Sequence, residues 1–386
     1  MEYVAKSRSP VLWSLSLAAL LTAASQSAFA AEPIQVGMAV SLTGYIAAID
    51  SAFVEGAKLA TKKINDTGGV KGRLIKLNIL DNASNATTGV TVTNQLINQY
   101  GVTVLVNGGS SAQSVALQPI IAREKLPLIT TSQLPPNYYW AYLATIAYPA
   151  ELEIQLKFAR DDLKAKRLAF LYTNTPYGQN GAKLLTTLAP DLGLEIVYSE
   201  GVDGSSTDVT PQLAKIKDAK PDVLLDFMSG SIHLLQAKAA TTVGLGVPII
   251  NSHDETTVLG QAAEQYAESY AVFVPIQAYP NLPNEELKAA NAEFLAAYTG
   301  ANLDIKDIAG ASPGWDAIRI LARAVEVSGA TAGQQLRDAL EEVSLVGTVA
   351  HFKYSPTDHT GQLESRALQV GRFRGGKLEI VKSAEK

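Results

Sequence analysis

The sequence predicts an α/β fold of two lobes, each built on a largely parallel sheet covered on both faces. Three observations predict it. Short β-rich runs alternate with longer amphipathic ones, the pattern of strands joined by helical crossovers. The alternation restarts after about residue 148 with no repeat shorter than a domain, which makes two similar units. Once an expected export signal is removed, 356 of the 386 residues remain, long for one hydrophobic core and suited to two domains.

The chain opens with a basic start at Lys6 and Arg8, an uncharged apolar run from Val11 to about Ala24, and Ala28-Phe29-Ala30. Basic, apolar, then small-x-small is the pattern of a secretory signal peptide, here expected to be cut after Ala30. The apolar run falls short of the ~20 residues that span a bilayer. Residues 34–40 then read as a strand, 52–64 as a helix, 74–80 as a strand, 90–100 as a helix and 102–106 as a strand. A helical segment at 111–124 follows, which Pro119 must kink or open, and then a strand at 128–130. The second unit reads as strands at 168–172, 195–198, 223–227, 248–250 and 270–274, with helices at 179–192, 209–218 and 232–243. The last third is poor in strands. Helices at 285–298, 313–328 and 333–343 precede an extended stretch at 347–354 and a hairpin around Gly375-Gly376. These helices are too few to build a third α/β domain and are expected to return to the first lobe. No low-complexity linker separates the lobes, so several short crossovers are expected as the hinge. The boundaries expected are 1–30 for the signal peptide, 31–147 plus 276–353 for lobe one, and 148–275 plus 354–386 for lobe two.

Composition excludes several functions. The net charge of −5 becomes about −6 without the signal, and no basic stripe exists, which argues against nucleic acid. With no cysteine, thiol catalysis and zinc-thiolate sites are out. The four histidines, His233, His253, His351 and His359, show no metal-ligand spacing, so neither a metal nor a cofactor is expected. Residues 371–377 approach a phosphate-binding loop, but Leu378 stands where Ser or Thr is needed and a hairpin surrounds it. No G-x-S-x-G elbow appears, and Asp161-Asp162 and Glu285-Glu286 fall on polar faces. An enzyme is not expected.

The mature start reads Ile34-Gln35-Val36-Gly37-Met38-Ala39-Val40-Ser41-Leu42-Thr43-Gly44, followed by Gly56-Ala57, Ile64-Asn65, Gly68-Gly69-Val70-Lys71-Gly72-Arg73 and Asp81. Further along stand Tyr177-Gly178, Val243-Gly244-Leu245, Trp315-Asp316-Ala317 and residues 354–359. This pattern resembles the type I periplasmic binding proteins of the leucine/isoleucine/valine-binding group, which serve ABC importers, and covers essentially the whole mature chain. The resemblance implies two doubly wound lobes joined by three crossovers. A small ligand enters the cleft, the hinge closes, and an inner-membrane ABC permease receives the closed form. A monomer is expected. The ligand expected is amino-acid-like or carboxylated, of the branched-chain or hydrophobic class. A benzoate- or cinnamate-type acid, an amide or urea, and a periplasmic sensor role are the alternatives.

Candidate ligand residues sit at strand ends. Val106 runs through Asn107-Gly108-Gly109 into Ser110 and Ser111, where hydroxyls and free N–H groups can cap a helix or hold an anion. The resemblance gives Ser111 the ligand carboxylate. Thr131 and Ser132 end the next strand in Thr-Thr-Ser-Gln, where the family often has Ser-Pro-x-Ala-Thr, so the spacing of hydroxyls is altered. Tyr177, in a polar loop beside Pro176 and Gly178, matches a residue that packs on the ligand from lobe two. Phe227 and Ser229 end a lobe-two strand. Asp254 is the candidate partner of a ligand ammonium, with His253 and Glu255 as register alternatives. Trp315 matches an aromatic cleft position, and Ile49 stands where some relatives carry a cleft aromatic.

Overall fold

The computed structural model describes residues 1–3, 31–133, 138–254, 256–280, 282, 284–301, 303, 307–361 and 368–383. The core of the expected signal peptide and Glu255 lie outside the described residues.

The first unit runs β1 (Ile34–Val40), α1 (Ala47–Asp66), β2 (Ile75–Asp81), α2 (Ala86–Tyr100), β3 (Val104–Asn107), α3 (Ser111–Glu124), β4 (Leu128–Thr130) and β5 (Ala141–Leu143). Its five strands are parallel in the order β2-β1-β3-β4-β5. β3 and β4 are buried along their whole length, as the apolar runs of a sheet covered on both faces require. Strand order reverses beside β1, and the carboxyl ends of β1 and β3 open a crevice there.

The second unit runs α4 (Tyr148–Asp161), β6 (Arg167–Thr173), α5 (Pro176–Asp191), β7 (Glu195–Val202), α6 (Thr210–Asp218), β8 (Val223–Phe227), α7 (Ile232–Val243), β9 (Ile249–Asn251), α8 (Thr256–Gln265) and β10 (Ser269–Phe273). The chain then makes α9 (Pro275–Ala278), α10 (Glu285–Gly300), α11 (Ile308–Ser328), α12 (Gly333–Glu341), the hairpin β11 (Ser344–Val346) with β12 (His351–Lys353), and the hairpin β13 (Gln369–Arg374) with β14 (Lys377–Ser383). The second sheet is ordered β14-β13-β10-β9-β8-β6-β7, its last hairpin antiparallel and the rest parallel. The chain passes between lobes after β5, after β10 and before β13.

α11 returns to lobe one and lies along α1, as expected of the late helices. Their backbones meet at glycines: a Cβ on Gly56 would stand 1.8 Å from the Ala311 carbonyl oxygen, and one on Gly314 1.9 Å from that of Phe53. α11 starts five residues before the expected Pro313. The Asp307 side chain accepts from Gly310 N and caps it, and Ser312 Oγ donates to the Ala309 carbonyl that Pro313, lacking an N–H, cannot reach. The expected boundary at 353/354 also shifts. Tyr354 Oη donates to Leu143 O (2.8 Å), Leu143 N donates to His359 O (2.9 Å), and His359 stacks on Tyr142. Residues 354–361 therefore edge β5 of lobe one.

Candidate functional site

Both sheets aim the carboxyl ends of their parallel strands at one cavity of about 100 Å³. Lobe one contributes Ile46, Ile49 and Phe53 around the start of α1, Gly109 after β3, Thr131 and Gln133 after β4, and Thr145. Tyr177, Ser229, His253 and Asp254 face them from lobe two, and Val274, Ala309, Gly310 and Pro313 complete the wall. The lobes touch across the cleft. Tyr177 N donates to Ser111 Oγ at 3.3 Å, and Tyr45 packs against Gly204 and Gly230. On the lobe-one side Ile46, Ile49 and Phe53 are apolar while Thr131, Gln133 and Thr145 are polar, and Tyr177, Ser229, His253 and Asp254 add polar groups from lobe two. At about 100 Å³ the cavity is smaller than the engineered cavity of ~150 Å³ that takes benzene, a size for a small ligand.

The sequence pattern of the family described as periplasmic binding protein matches residues 33–377. The chain belongs to that family. Over 329 residues (82% of this chain, 84% of the relative) it is 24% identical to the Leu/Ile/Val-binding protein homolog 1 of Brucella abortus. Among solved structures, an extracellular ligand-binding receptor from Rhodopseudomonas palustris superposes with TM-score 0.82 at 21% identity, covering 91% of this chain and 100% of that one. A branched-chain amino acid transporter substrate binding protein from Streptococcus pneumoniae, in complex with isoleucine, superposes with TM-score 0.76 at 22% identity, over 90% and 99%. These superpositions establish the periplasmic binding protein type I fold.

In this periplasmic binding protein, the structure brings Thr131, Tyr177, Ser229 and Asp254 together in the cavity wall. The other candidates stand elsewhere. Ser110 Oγ accepts from Gln113 N and caps α3. Ser111 Oγ accepts the interlobe bond from Tyr177 N. Ser132 Oγ is sealed between Gly108 O and Ser114 Oγ, each at 2.9 Å. Phe227 is buried beneath Tyr177, its ring stacked at 4.8 Å. Trp315 is a correction: it is buried edge-on to Phe294, with Lys63 and Arg319 over its ring. Because α11 begins at Ile308, Ala309, Gly310 and Pro313 take the cavity side, and a residue two positions beyond Pro313 points about 200° away.

A buried ionic network backs the lobe-two wall. Glu151, on α4, accepts from Tyr177 Oη (2.9 Å) through Oε2, and from His253 N (2.5 Å) and His253 Nδ1 (2.8 Å) through Oε1. His233, fully buried, lies between Asp226 (3.3 Å) and Asp254 (3.1 Å), at ion-pair distance but outside good hydrogen-bond geometry. Asp226 accepts from Ser252 N, Ser252 Oγ and Gln236 Nε2, and Asp254 Oδ2 from Gly230 N. Burial works to lower the pKa of His233, but the Asp226 and Asp254 carboxylates outweigh it and push it up to about 10. His253 is also raised: Glu151, with help from Asp254, overcomes burial. Burial, then Glu151, drives the Tyr177 phenol well above its ordinary range. On lobe one, Asp50 accepts from Ser41 N (2.7 Å) and Gly109 N (2.9 Å), tying the ends of β1 and β3 together. Its pKa is raised by burial, against those two bonds. The N–H that sequence reasoning offered to a ligand anion at Gly109 is thus taken by an internal carboxylate.

Glu151, Asp226, His233 and Gln133 were missed from the sequence. Glu151 sits in a charge-rich stretch that reads as solvated. Gln133 accepts from Tyr148 N and donates to Ile146 O, pinning the first crossover. Only the altered Thr-Thr-Ser-Gln segment hinted at it. No helix among the described residues is long and apolar enough to cross a membrane.

Proposed function

We propose that this chain is the substrate-binding protein of an ABC importer. Exported by a signal ending at Ala30, it captures one small, mainly apolar, carboxylated molecule between its lobes and delivers it to an inner-membrane permease. The observation that carries this reading is the cavity of about 100 Å³ at the carboxyl ends of both sheets, bridged by the Tyr177–Ser111 bond. Ile46, Ile49, Phe53 and Pro313 offer an apolar wall for a branched chain or a single ring. The branched-chain amino acids in the relatives' names point to the same size class. Lobe one then comprises β1 to β5, α9 to β12 and the segment 354–361, and lobe two α4 to β10 with β13 and β14.

A thermal-shift screen over branched-chain amino acids, aromatic acids and short amides tests the reading. A ligand at a hundred times its Kd adds about 2.7 kcal/mol, which raises Tm by roughly 5–11 °C for lobes of this size. No shift with any small carboxylate at millimolar concentration contradicts it.

A further inference from the structure

We propose that His253, acting through its Nε2, holds the carboxylate of the ligand, so that the ligand's acid group points at lobe two and no ammonium is required. The inference rests on the reading of the interlobe cavity as the ligand site and names the chemistry that site selects.

Three independent features converge on it. The first is hydrogen-bond accounting. Glu151 Oε1 accepts from both the backbone N and the ring Nδ1 of His253. A carboxylate offers no proton, so Nδ1 carries one, and the ring is fixed in place as a second group fixes any functional imidazole. Nε2 has no partner among the described residues. The side chain is 25% exposed, and the cavity it lines is where that exposure lies.

The second feature is what is already spent. Asp254, the acidic residue expected to meet an ammonium, gives Oδ2 to Gly230 N and faces the buried His233 cation. On lobe one, Gly109 N is held by Asp50, and Ser111 Oγ, which accepts from Tyr177 N, has only its own O–H to offer. An anion placed against Gly109 meets the Asp50 carboxylate behind it, and an anion placed against His253 meets a donor.

The third feature is shape. The cavity wall also carries Ile46, Ile49, Phe53 and Pro313, so an acid group held at His253 can leave its hydrocarbon against apolar side chains.

The charged groups that face the His253 ring are Glu151 from α4, Asp254 from its own loop and His233 from α7, with Tyr177 of α5 bonded to Glu151. The lobe-one wall contributes no titratable side chain among the described residues. His233 stays charged to about pH 10 and Tyr177 stays neutral. Against burial, Glu151 raises the His253 pKa above the ordinary 6.5, so its Nε2–H persists to higher pH than in a free imidazole and is lost as pH rises through the raised pKa.

Calorimetric titration from pH 6 to 9 with four probes tests this: leucine, 4-methylpentanoate, benzoate and 3-methylbutylamine. The two acids bind and the amine does not. Above the His253 pKa, their Kd weakens by about tenfold per pH unit, the limit for one linked proton. His253→Gln weakens the acids at least tenfold at pH 6 and flattens the profile. Glu151→Gln, which keeps the neighbours hydrogen-bonded but removes the charge, moves the midpoint of the profile to lower pH. The Tm of each variant confirms that it is folded. Leucine binding with neither acid bound, and with a Kd unchanged in His253→Gln, overturns the inference and leaves the importer reading intact. A flat pH profile for the acids in the wild type also overturns it. Binding of none of the four removes the small-carboxylate reading, and this inference with it.

Discussion

Replacing Gly314 by alanine tests whether the cavity depends on backbone contact between α1 and α11. A Cβ there would stand 1.9 Å from the Phe53 carbonyl oxygen and 3.0 Å from Ala57 N. Ordinary contact needs about 3.4 Å, so the helices must separate by roughly 1.5 Å at the crossing, and both atoms are backbone that cannot rotate away. Overpacking of this kind costs about 1–3 kcal/mol, occasionally more. The helical preference of alanine over glycine returns up to about 1 kcal/mol. The contact is with backbone, so the upper end applies, and the net loss is about 2 kcal/mol. Thermal unfolding followed by circular dichroism should place Tm roughly 4–8 °C lower. Ile49 and Phe53 of α1 and Ala309, Gly310 and Pro313 of α11 all line the cavity, so ligand affinity should fall with stability. Gly300→Ala is the control: nothing lies within 4 Å of its Cβ, and the same substitution there should be neutral or stabilising by at most about 1 kcal/mol. A Gly314→Ala protein as stable as the Gly300→Ala protein would refute the packing argument.

Three further outcomes follow from the buried charges and the interlobe contact. Burial raises Asp316 to about 6, against the Arg319 charge and its bonds to Thr348 and Val349. The wild type should therefore lose stability relative to Asp316→Asn as pH rises from about 4 to 6, read as the difference between their Tm-against-pH curves. His233, at about 10, gives the opposite-range test. Its contribution is complete below its ordinary 6.5 and is lost as pH rises towards 10, so wild type and His233→Gln should converge over that window in urea unfolding. Ser111→Ala removes the 3.3 Å bond from Tyr177 N, and ligand affinity should fall about two- to twelvefold, the range of ~0.5–1.5 kcal/mol for a neutral hydrogen bond.

The layout of the lobes was legible because local pattern and tertiary role agree. β8 and α7 fall at the expected residues, their apolar runs and the Gly244 terminus pointing the same way. β5 was not read from the sequence. α4 escaped because Glu151 and Gln155, both buried, break its apolar stripe. The strand ends were readable as a place for a ligand, and Thr131, Tyr177, Ser229 and Asp254 do line the cavity. The partners of those residues were not readable. Glu151 meets His253 across 102 positions, and His233 lies between carboxylates from β8 and the loop after β9. No local spacing encodes such pairs. Trp315, placed at the cleft by the resemblance, packs into the core against Phe294.

The central claim is that a small carboxylate bridges the lobes, and small-angle scattering tests it most directly. The wild type is measured without additive and with 4-methylpentanoate or leucine at saturation, whichever calorimetry shows to bind. A smaller radius of gyration is expected in the bound state, because a ligand touching both cavity walls favours the closed arrangement of the lobes, the usual hinge closure around a ligand. An unchanged radius at full occupancy would contradict it.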